Sequence, residues 1–304
     1  MGRANREQYH EAFKTRGGVF ENLKGSPYEH LYYHYYLASI GRLKFLERVL
    51  SDQLPAINFG FANNIGLSAF ANIVDGVNFI GFGKETPLIL KFVYDIMFSH
   101  PGFLSGIDNS LEVAPEKIPH VKFQSLRQIN AIYDLNACPQ PKGEDRKWWS
   151  DWMANLATGF LLFHEMGHLL NGHIGYLKDN GLGFEDIDGL TAQTLEVDAD
   201  KFAARMFFKQ VFEITKASAK NLENKEEQMA IERESVCFAY GAVYTLFRLF
   251  SNGEVNANEP LRNHHPIPAL RELLFRDELY FCFKDREDSL TVAFAASFLD
   301  LAYQ

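Results

Sequence analysis

The pentapeptide HEMGH constrains this chain more than any other feature. It lies in a run from Asp145 to about Leu170 whose apolar residues recur at helical spacing, which predicts one long helix. Side chains four residues apart on a helix lie one above the other, so His164 and His168 can bind one metal ion. Glu165 can then approach a water molecule beside that metal and act as a general base.

A catalytic zinc ion usually has three protein ligands, so a third must come from elsewhere. Glu196 and Asp200 lie four residues apart in a second predicted helix, over about 191–216, and therefore share a face. We expect Glu196 to bind the metal and Asp200 to accept a hydrogen bond from the outer nitrogen of a liganding histidine. The alternative third ligand is His173, which lies one residue out of register with the pattern HExxHxxGxxH. Alternatively, Glu196 and Asp200 belong to a solvated acidic helix face, in a chain with 39 acidic residues.

The patterns elsewhere in the chain predict an α+β protein that is mainly α. An alternating segment at 57–61 and two strand-like segments at 68–74 and 77–82, the last two joined by Asp-Gly, predict a small β-sheet or hairpin before the active-site helix. Helix-start residues and apolar periodicity predict a helical C-terminal half. Helices are expected over 26–52, from 86, and over 224–250, 266–275 and 287–302, with loops over 175–189 and loops and short strands over 101–143.

The 304 residues are expected to fold as a single domain, because no repeat or linker interrupts them. Within that domain, residues 1–55 form an N-terminal helical extension. Residues 56–271 form the catalytic core, and residues 272–304 form a C-terminal helix.

Composition excludes several classes of function. A net charge of −9 argues against a general binder of nucleic acid or of anionic membranes. The first residues lack the apolar core of a signal peptide, and no stretch reaches the ~18 uninterrupted apolar residues of a spanning helix. Three scattered cysteines fit a reducing compartment. We therefore expect a cytoplasmic protein that does not bind membranes, and the sequence leaves its oligomeric state open.

Four motifs in order resemble the gluzincins, as found in the HtpX and CAAX prenyl protease families. HEMGH followed by EVDADKFAA resembles HExxH…ExxAD, and HPIPALR resembles their HPxxxxR segment. The segment Ala69, Phe70, Ala71 and Asn72 is similar to their NAFA strand, which lies along the cleft and can pair with extended substrate backbone. The resemblance implies a zincin-like fold, a Zn²⁺ cofactor and a protein or peptide substrate.

The HPxxxxR resemblance also suggests a donor for the oxyanion that develops during peptide hydrolysis. His265 is the first candidate and His264 the second, whereas Tyr240 and Tyr244 are better explained as packing residues. Arg271 is expected either to pair with an acid near the site or to lie on a helix surface.

This chain departs from those families in lacking their transmembrane helices. It also resembles the Lit phage-exclusion peptidases and, at greater distance, the IrrE/ImmA group of regulatory zincins. The expected function is that of a soluble zinc-dependent endopeptidase. The alternative is a regulatory or phage-defence zincin that acts mainly by binding a partner protein. A purely structural zinc site is disfavoured, because such sites tend to be rich in cysteine.

Overall fold

The computed structural model describes residues 4–21, 23–51, 54–108, 110–112, 125–132, 138–250 and 265–283. In these ranges, three strands and nine α-helices make a mainly α, α+β protein, which confirms the predicted class at this level. The strands are β1 (Ile57–Ala62), β2 (Ala69–Val74) and β3 (Val77–Gly83). The helices are α1 (Arg6–Phe13), α2 (Glu29–Leu50), α3 (Thr86–Ser99), α4 (Leu126–Ile132), α5 (Glu144–Leu170), α6 (His173–Asp179), α7 (Gly189–Ala219), α8 (Lys225–Phe250) and α9 (Pro268–Phe283).

The three strands form one sheet in the order β1-β3-β2. Strands β2 and β3 are an antiparallel hairpin, and β1 pairs with β3 in parallel. The hairpin turn is made by Asp75 and Gly76, which both have positive φ (48° and 73°). Two such residues give the turn the twist that a two-residue hairpin requires. The sheet precedes the long helix α5, as the sequence predicts, and β2 contacts that helix.

Helix α5 lies at the centre of the molecule and is packed between α3 and α7, with α8 also against it. Its apolar stripe fills the main core. The ring of Phe160 has edge-to-face contacts with Phe207 of α7 at 5.9 Å, and with Phe247 of α8 and Phe275 of α9 at 5.4 Å each. One aromatic side chain thus ties four helices together, one turn before HEMGH begins.

The N-terminal end of α5 is held by a buried arginine. Arg146 is 0% exposed and donates hydrogen bonds to the carbonyl oxygens of Phe98 (2.7 Å), His100 (2.9 Å) and Phe103 (2.7 Å). These carbonyls belong to the end of α3 and to the turn after it, where no helical partner is available. Arg146 therefore fixes α3 against the start of α5.

Helix α1 packs on the sheet rather than standing apart from it. Ala12 and Phe13 are buried with Phe70 and Phe79 in a small apolar cluster of their own. Gly81 of β3 makes this possible, because a Cβ there would lie 2.3 Å from the Phe70 ring and 2.8 Å from the Phe13 ring. The N-terminal helical segment is in this way joined to the sheet that precedes α5.

The predicted loop over 175–189 is partly wrong. Gly172 has a φ of +79°, which ends α5 as predicted, but the chain then enters α6 at once. Leu177 of α6 is buried beside Ile187 and Ala192, and this contact stabilises a helix that has little apolar periodicity of its own. Short strands were also expected over 101–143, whereas the described part of that region contains the helix α4 and no strand.

Two other helices differ from the prediction at their ends. Helix α2 begins at Glu29 rather than at the Ser26 cap, and α9 continues to Phe283. The helix predicted over 287–302 lies outside the described residues. Among the residues that the structure describes, no helix has the length and apolar character needed to cross a bilayer.

Candidate metal centre

Two helices bring together the three residues predicted as metal ligands. His164 and His168 lie one turn apart on α5, Glu196 lies on α7, and all three side chains are buried. The two Nε2 atoms are 3.1 Å apart. Nε2 of His164 is 3.5 Å from Oε2 of Glu196, and Nε2 of His168 is 3.3 Å from Oε1. The three residues form a cluster that could hold a metal ion.

The spacing of these atoms fits a tetrahedral metal site. With metal–ligand bonds of ~2.0–2.1 Å, neighbouring ligand atoms of a tetrahedron lie about 3.3 Å apart. The observed separations of 3.1, 3.3 and 3.5 Å lie around this value. Two imidazoles and one carboxylate are also a donor set that zinc accepts in catalytic sites, where a fourth position stays open.

A glycine lets the two ligand-bearing helices approach. A Cβ on Gly167 of α5 would lie 2.8 Å from Cα and 3.0 Å from the carbonyl oxygen of Ala199 on α7. Contacts that short with backbone atoms do not occur, so a side chain here would push the helices apart. Ala199 and Ala203 are 0% exposed and present small side chains to the same interface. Gly167 and Ala199 each lie within three residues of a proposed ligand.

Asp200 contacts the outer nitrogen of the first histidine. Its Oδ1 is 2.8 Å from Nδ1 of His164, so Nε2 of that ring points to the cluster. Arg271 of α9 donates to both oxygens of Asp200 at 2.7 Å each. Of the two alternatives for Arg271, the structure therefore has the ion pair near the site. Its guanidinium carbon also lies 4.6 Å from the ring centre of Phe247. Arg271, Asp200 and His164 thus form a chain of hydrogen bonds from α9 to the ligand cluster.

His173 occupies a different place from the one considered for it. It is not in the ligand cluster; its Nδ1 lies 3.0 Å from Nδ1 of His168, on the outer side of that ring. Nε2 of His173 is 3.0 Å from Oδ2 of Asp198, which also accepts a hydrogen bond from Asn171 at 2.7 Å. The second histidine thus has its own positioning chain, through His173 to Asp198.

Sequence reasoning missed Asp198. Asp198 lies two residues from both Glu196 and Asp200, so helical geometry puts it on a different face from theirs. The available signal was HLLNGH, in which a second histidine lies three residues beyond the helix end at Leu170. Because α6 starts there, His173 lies between α5 and α7 and reaches that other face.

The imidazoles and carboxylates of the cluster shift one another's pKa values. Burial lowers the pKa of His164, but its hydrogen bonds to Asp200 and Glu196 raise it more, to about 10. Burial raises the pKa of Glu196, but the hydrogen bonds from His164 and His168 outweigh it and hold the pKa well below its usual range. Metal ligands must be deprotonated, so an ion that binds here displaces a proton from the histidines.

Glu165 differs from its neighbours because it has no hydrogen-bond partner among the described residues. It is 8% exposed. Burial raises the pKa of its carboxyl, and the positive charges of His164, His168 and Arg16 oppose part of that rise. A carboxylate beside the cluster that is bound to no protein group remains available to a water molecule or a ligand.

The predicted oxyanion donors are only partly placed. Nδ1 of His265 is 3.1 Å from Oε2 of Glu196, and 68% of its side chain is exposed. The imidazole therefore lies at the open edge of the cluster. His264 lies outside the described residues. Tyr240 donates to Oε1 of Glu272 at 3.2 Å and packs near Phe275, as expected of a packing residue.

The four residues predicted as a substrate-binding strand lie in β2, at the edge of the sheet. The Gly83 N–H donates to the Ser68 carbonyl at 2.9 Å, so Ser68 and Gly83 are a hydrogen-bonded pair. In an antiparallel pair of strands, only every second residue bonds to the partner strand, which here means Phe70 and Asn72. The backbone groups of Ala69 and Ala71 consequently point away from β3. Phe70 packs on Phe13, and the Asn72 side chain donates to the Ala12 carbonyl at 2.9 Å.

Comparison with known proteins identifies no relative. No protein family, no curated protein and no solved structure matches the chain. The function of this buried cluster must therefore be inferred from its own geometry and chemistry.

Proposed function

We propose that this protein is a zinc-dependent endopeptidase with a zincin-like fold, which hydrolyses a protein or peptide substrate. His164, His168 and Glu196 hold the metal. The observation that carries this proposal is the convergence of two Nε2 atoms and one carboxylate beside Glu165. A structural site would not need that additional carboxylate, and Glu165 makes no hydrogen bond in the described part of the chain.

Bound zinc supplies Lewis-acid chemistry, which polarises the scissile carbonyl and lowers the pKa of a water molecule towards ~7. Glu165 accepts the proton of that water and later passes it to the leaving amine. Burial raises the pKa of the Glu165 carboxyl, which brings it closer to the range in which a group both accepts and returns a proton. Asp200 and His173 fix the orientation of the two imidazoles.

His265 is the proposed donor to the developing oxyanion. Its exposed imidazole already lies at the edge of the cluster, 3.1 Å from Glu196. If Glu196 held a metal ion, this oxygen would be engaged with the metal, and the His265 imidazole would be free to turn towards a substrate carbonyl. Donors directed at the position where charge develops are among the largest contributions to catalysis.

Strand β2 is the proposed site for the substrate backbone. Its outer edge carries the N–H and C=O groups of Ala69 and Ala71, and an extended peptide can pair with such an edge. The strand also contacts α5, which carries Glu165. A peptide added to β2 would therefore run beside the general base.

The test begins with Glu165→Gln. This change keeps the shape of the side chain and removes its basicity, so we expect metal content to be unchanged and peptide hydrolysis to fall by about 10²–10⁴-fold. Glu144→Gln is the matched control, because Glu144 lies exposed in the first turn of the same helix. Hydrolysis by the Glu165→Gln protein at the wild-type rate would rule out the general-base role.

Metal analysis of the purified protein tests the cofactor. We expect about one zinc per chain in the wild type and a large loss in Glu196→Ala. Two histidines and a carboxylate also serve iron(II) in oxygenases, so iron in place of zinc would contradict the proposed hydrolysis.

A further inference from the structure

Arg16 brings a positive charge from the N-terminal segment to the substrate-binding strand. Its guanidinium carbon lies 5.5 Å from the ring centre of Phe70, in the middle of the four β2 residues considered above. A guanidinium over an aromatic ring is held by cation–π attraction while its N–H groups remain able to bind a carboxylate. Arg16 is exposed, and its positive charge acts to lower the pKa of the Glu165 carboxyl.

Arg16 and Arg271 both interact electrostatically with Glu165, but they differ in their hydrogen-bond partners. Arg271 is buried and donates two hydrogen bonds to Asp200, so it is fully engaged. Arg16 has no carboxylate within ion-pair distance anywhere in the described ranges of the chain. In a protein with 39 acidic and 30 basic residues, an exposed arginine that pairs with none of the described acidic side chains, beside the proposed substrate strand, is a candidate ligand-binding group.

The turn that carries Arg16 is firmly anchored. Gly17 has a φ of +82°, and a Cβ on it would lie 2.9 Å from the Asn63 carbonyl oxygen. Just after it, the Asn63 N–H donates to Gly18 at 2.8 Å, and the Phe20 N–H donates to the Phe61 carbonyl at 2.8 Å. The aromatic platform is fixed as well, because the Phe70 ring lies over Gly81. Arg16 is therefore presented from a defined backbone.

We propose that Arg16 binds a carboxylate of the substrate and gives the enzyme a preference for acidic peptides. This inference rests on the proposed peptidase function and names the chemical class of its substrate. Arg16 would bind this carboxylate close to Phe70, near the start of β2. Towards the other end of the strand, the Lys178 ammonium contacts the Ile73 carbonyl oxygen, so a second cation lies on the same strand.

The electrostatics of the site explain why such a cation is needed. The whole chain carries a net charge of −9, and a zinc ion held by His164, His168 and Glu196 would offset only the charges of Glu165 and Glu196 beside it. An acidic peptide would be repelled by this field unless a local positive charge offset it. A guanidinium that binds the carboxylate in two places supplies that charge and fixes the peptide along the strand.

The experiment compares cleavage of two mixtures of peptides by the zinc-loaded protein. One mixture is neutral and the other contains glutamate at varied positions, and both have amidated C-termini. We expect the wild type to cleave the acidic mixture faster, and Arg16→Ala to reduce the ratio of acidic to neutral cleavage about tenfold. On a matched mixture with lysine in place of glutamate, Arg16→Glu should reverse the preference and cleave the lysine peptides faster than the acidic ones. A third mixture, neutral but with a free C-terminal carboxylate, distinguishes a terminal carboxylate from a side chain.

Lys14→Ala is the matched control, since Lys14 is an exposed cation two residues away that pairs with Glu11. It removes the same charge from the same segment, and it should leave the ratio unchanged. An equal ratio in wild type and Arg16→Ala would overturn the role of Arg16 while leaving the peptidase proposal intact.

Failure of the wild type to cleave any mixture would instead contradict the peptidase proposal. The role of Arg16 is then decided by binding, with Glu165→Gln protein loaded with zinc and the same mixtures. Enrichment of acidic peptides that is lost in the double variant with Arg16→Ala would support the inference, and absence of enrichment would overturn it.

Discussion

At the scale of single residues, each of the two histidines is held from its outer nitrogen by a different kind of partner. His164 contacts Asp200 directly, whereas His168 contacts Asp198 through a third histidine, His173. The spacing of Glu196 and Asp200 on one helix face, downstream of HEMGH, predicts the first arrangement, whereas the spacing alone would also fit a solvated acidic face. The second depends on His173 at the start of α6, which contacts both His168 of α5 and Asp198 of α7, and local sequence does not encode that packing.

The His173 chain can be tested through metal affinity. In His173→Ala, the His168 ring loses the group that fixes its orientation, so we expect zinc to bind about 10–100-fold more weakly. His173→Gln should restore part of the affinity, because an amide can still hydrogen-bond to Nδ1 of His168. Competition with a chromophoric chelator measures both variants.

Asp179→Asn provides the control, because this side chain is exposed at the end of the same short helix. Equal zinc affinity in His173→Ala and in the wild type would show that His173 only fills space. A complete loss of metal would instead return His173 to the set of possible ligands.

At the scale of elements, the sequence predicts most of the helices that build the site. The start and end of α5 differ from the prediction by at most one residue, because its apolar period is long and Asn171-Gly172 is a strong stop. Helix α7 is longer than predicted at both ends, with Asp188 as its cap. The distance between α5 and α7 cannot be predicted from the sequence. It depends on a close contact between Gly167 and the Ala199 backbone, which is possible only because Gly167 has no side chain.

Gly167→Ala tests that distance. In an open helix interior, alanine is favoured over glycine by ~1 kcal/mol. Here we expect the opposite sign, with stability lowered by about 1–3 kcal/mol and weaker zinc binding, because the new methyl group would overlap the Ala199 backbone. Denaturant unfolding and metal titration measure the two effects.

The control is Gly41→Ala in the middle of α2, where an added Cβ meets nothing within 4 Å. It should stabilise the protein or leave it unchanged, with no effect on zinc. Similar results for the two substitutions would mean that α5 and α7 can adjust, and that Gly167 does not set the geometry of the ligands.

At the scale of the whole molecule, composition and periodicity predict the fold class but not the docking of the N-terminal segment. Residues 1–55 were expected to be an extension of a core that begins at residue 56. The structure packs Phe13 of α1 on Phe70 of β2 and brings Arg16 to the same ring. Such long-range pairing depends on a glycine in β3 and on ring shapes, which leave no periodic trace in the sequence.

The stability of the metal-free protein should depend on pH in both directions. The pKa of Asp200 is lowered from 3.8 despite its burial, because Arg271 and His164 outweigh that burial. Its contribution is therefore present above 3.8 and is lost as the pH falls below it. The pKa of His164 is raised from 6.5 to about 10, so its contribution is complete below 6.5 and is lost as the pH rises towards 10.

Urea unfolding with a chelator present should accordingly show a maximum between 3.8 and 6.5 from this pair. Asp200→Asn removes the carboxylate on which both contributions depend, so the profile should become flatter on each side. Asp179→Asn again serves as control. A variant profile parallel to that of the wild type would show that the ion pair does not couple folding to protons.

The ion pair between Arg271 and Asp200 has a consequence beyond catalysis. A metal ion bound between α5 and α7 would link these helices, and the pair would extend the link to α9. Because the ion binds the native state, the free energy of unfolding would rise with the logarithm of the free ion concentration. Starvation for the ion would remove this contribution to stability, and the chain would open more often. Its lifetime in the presence of proteases would then follow the supply of a single trace element.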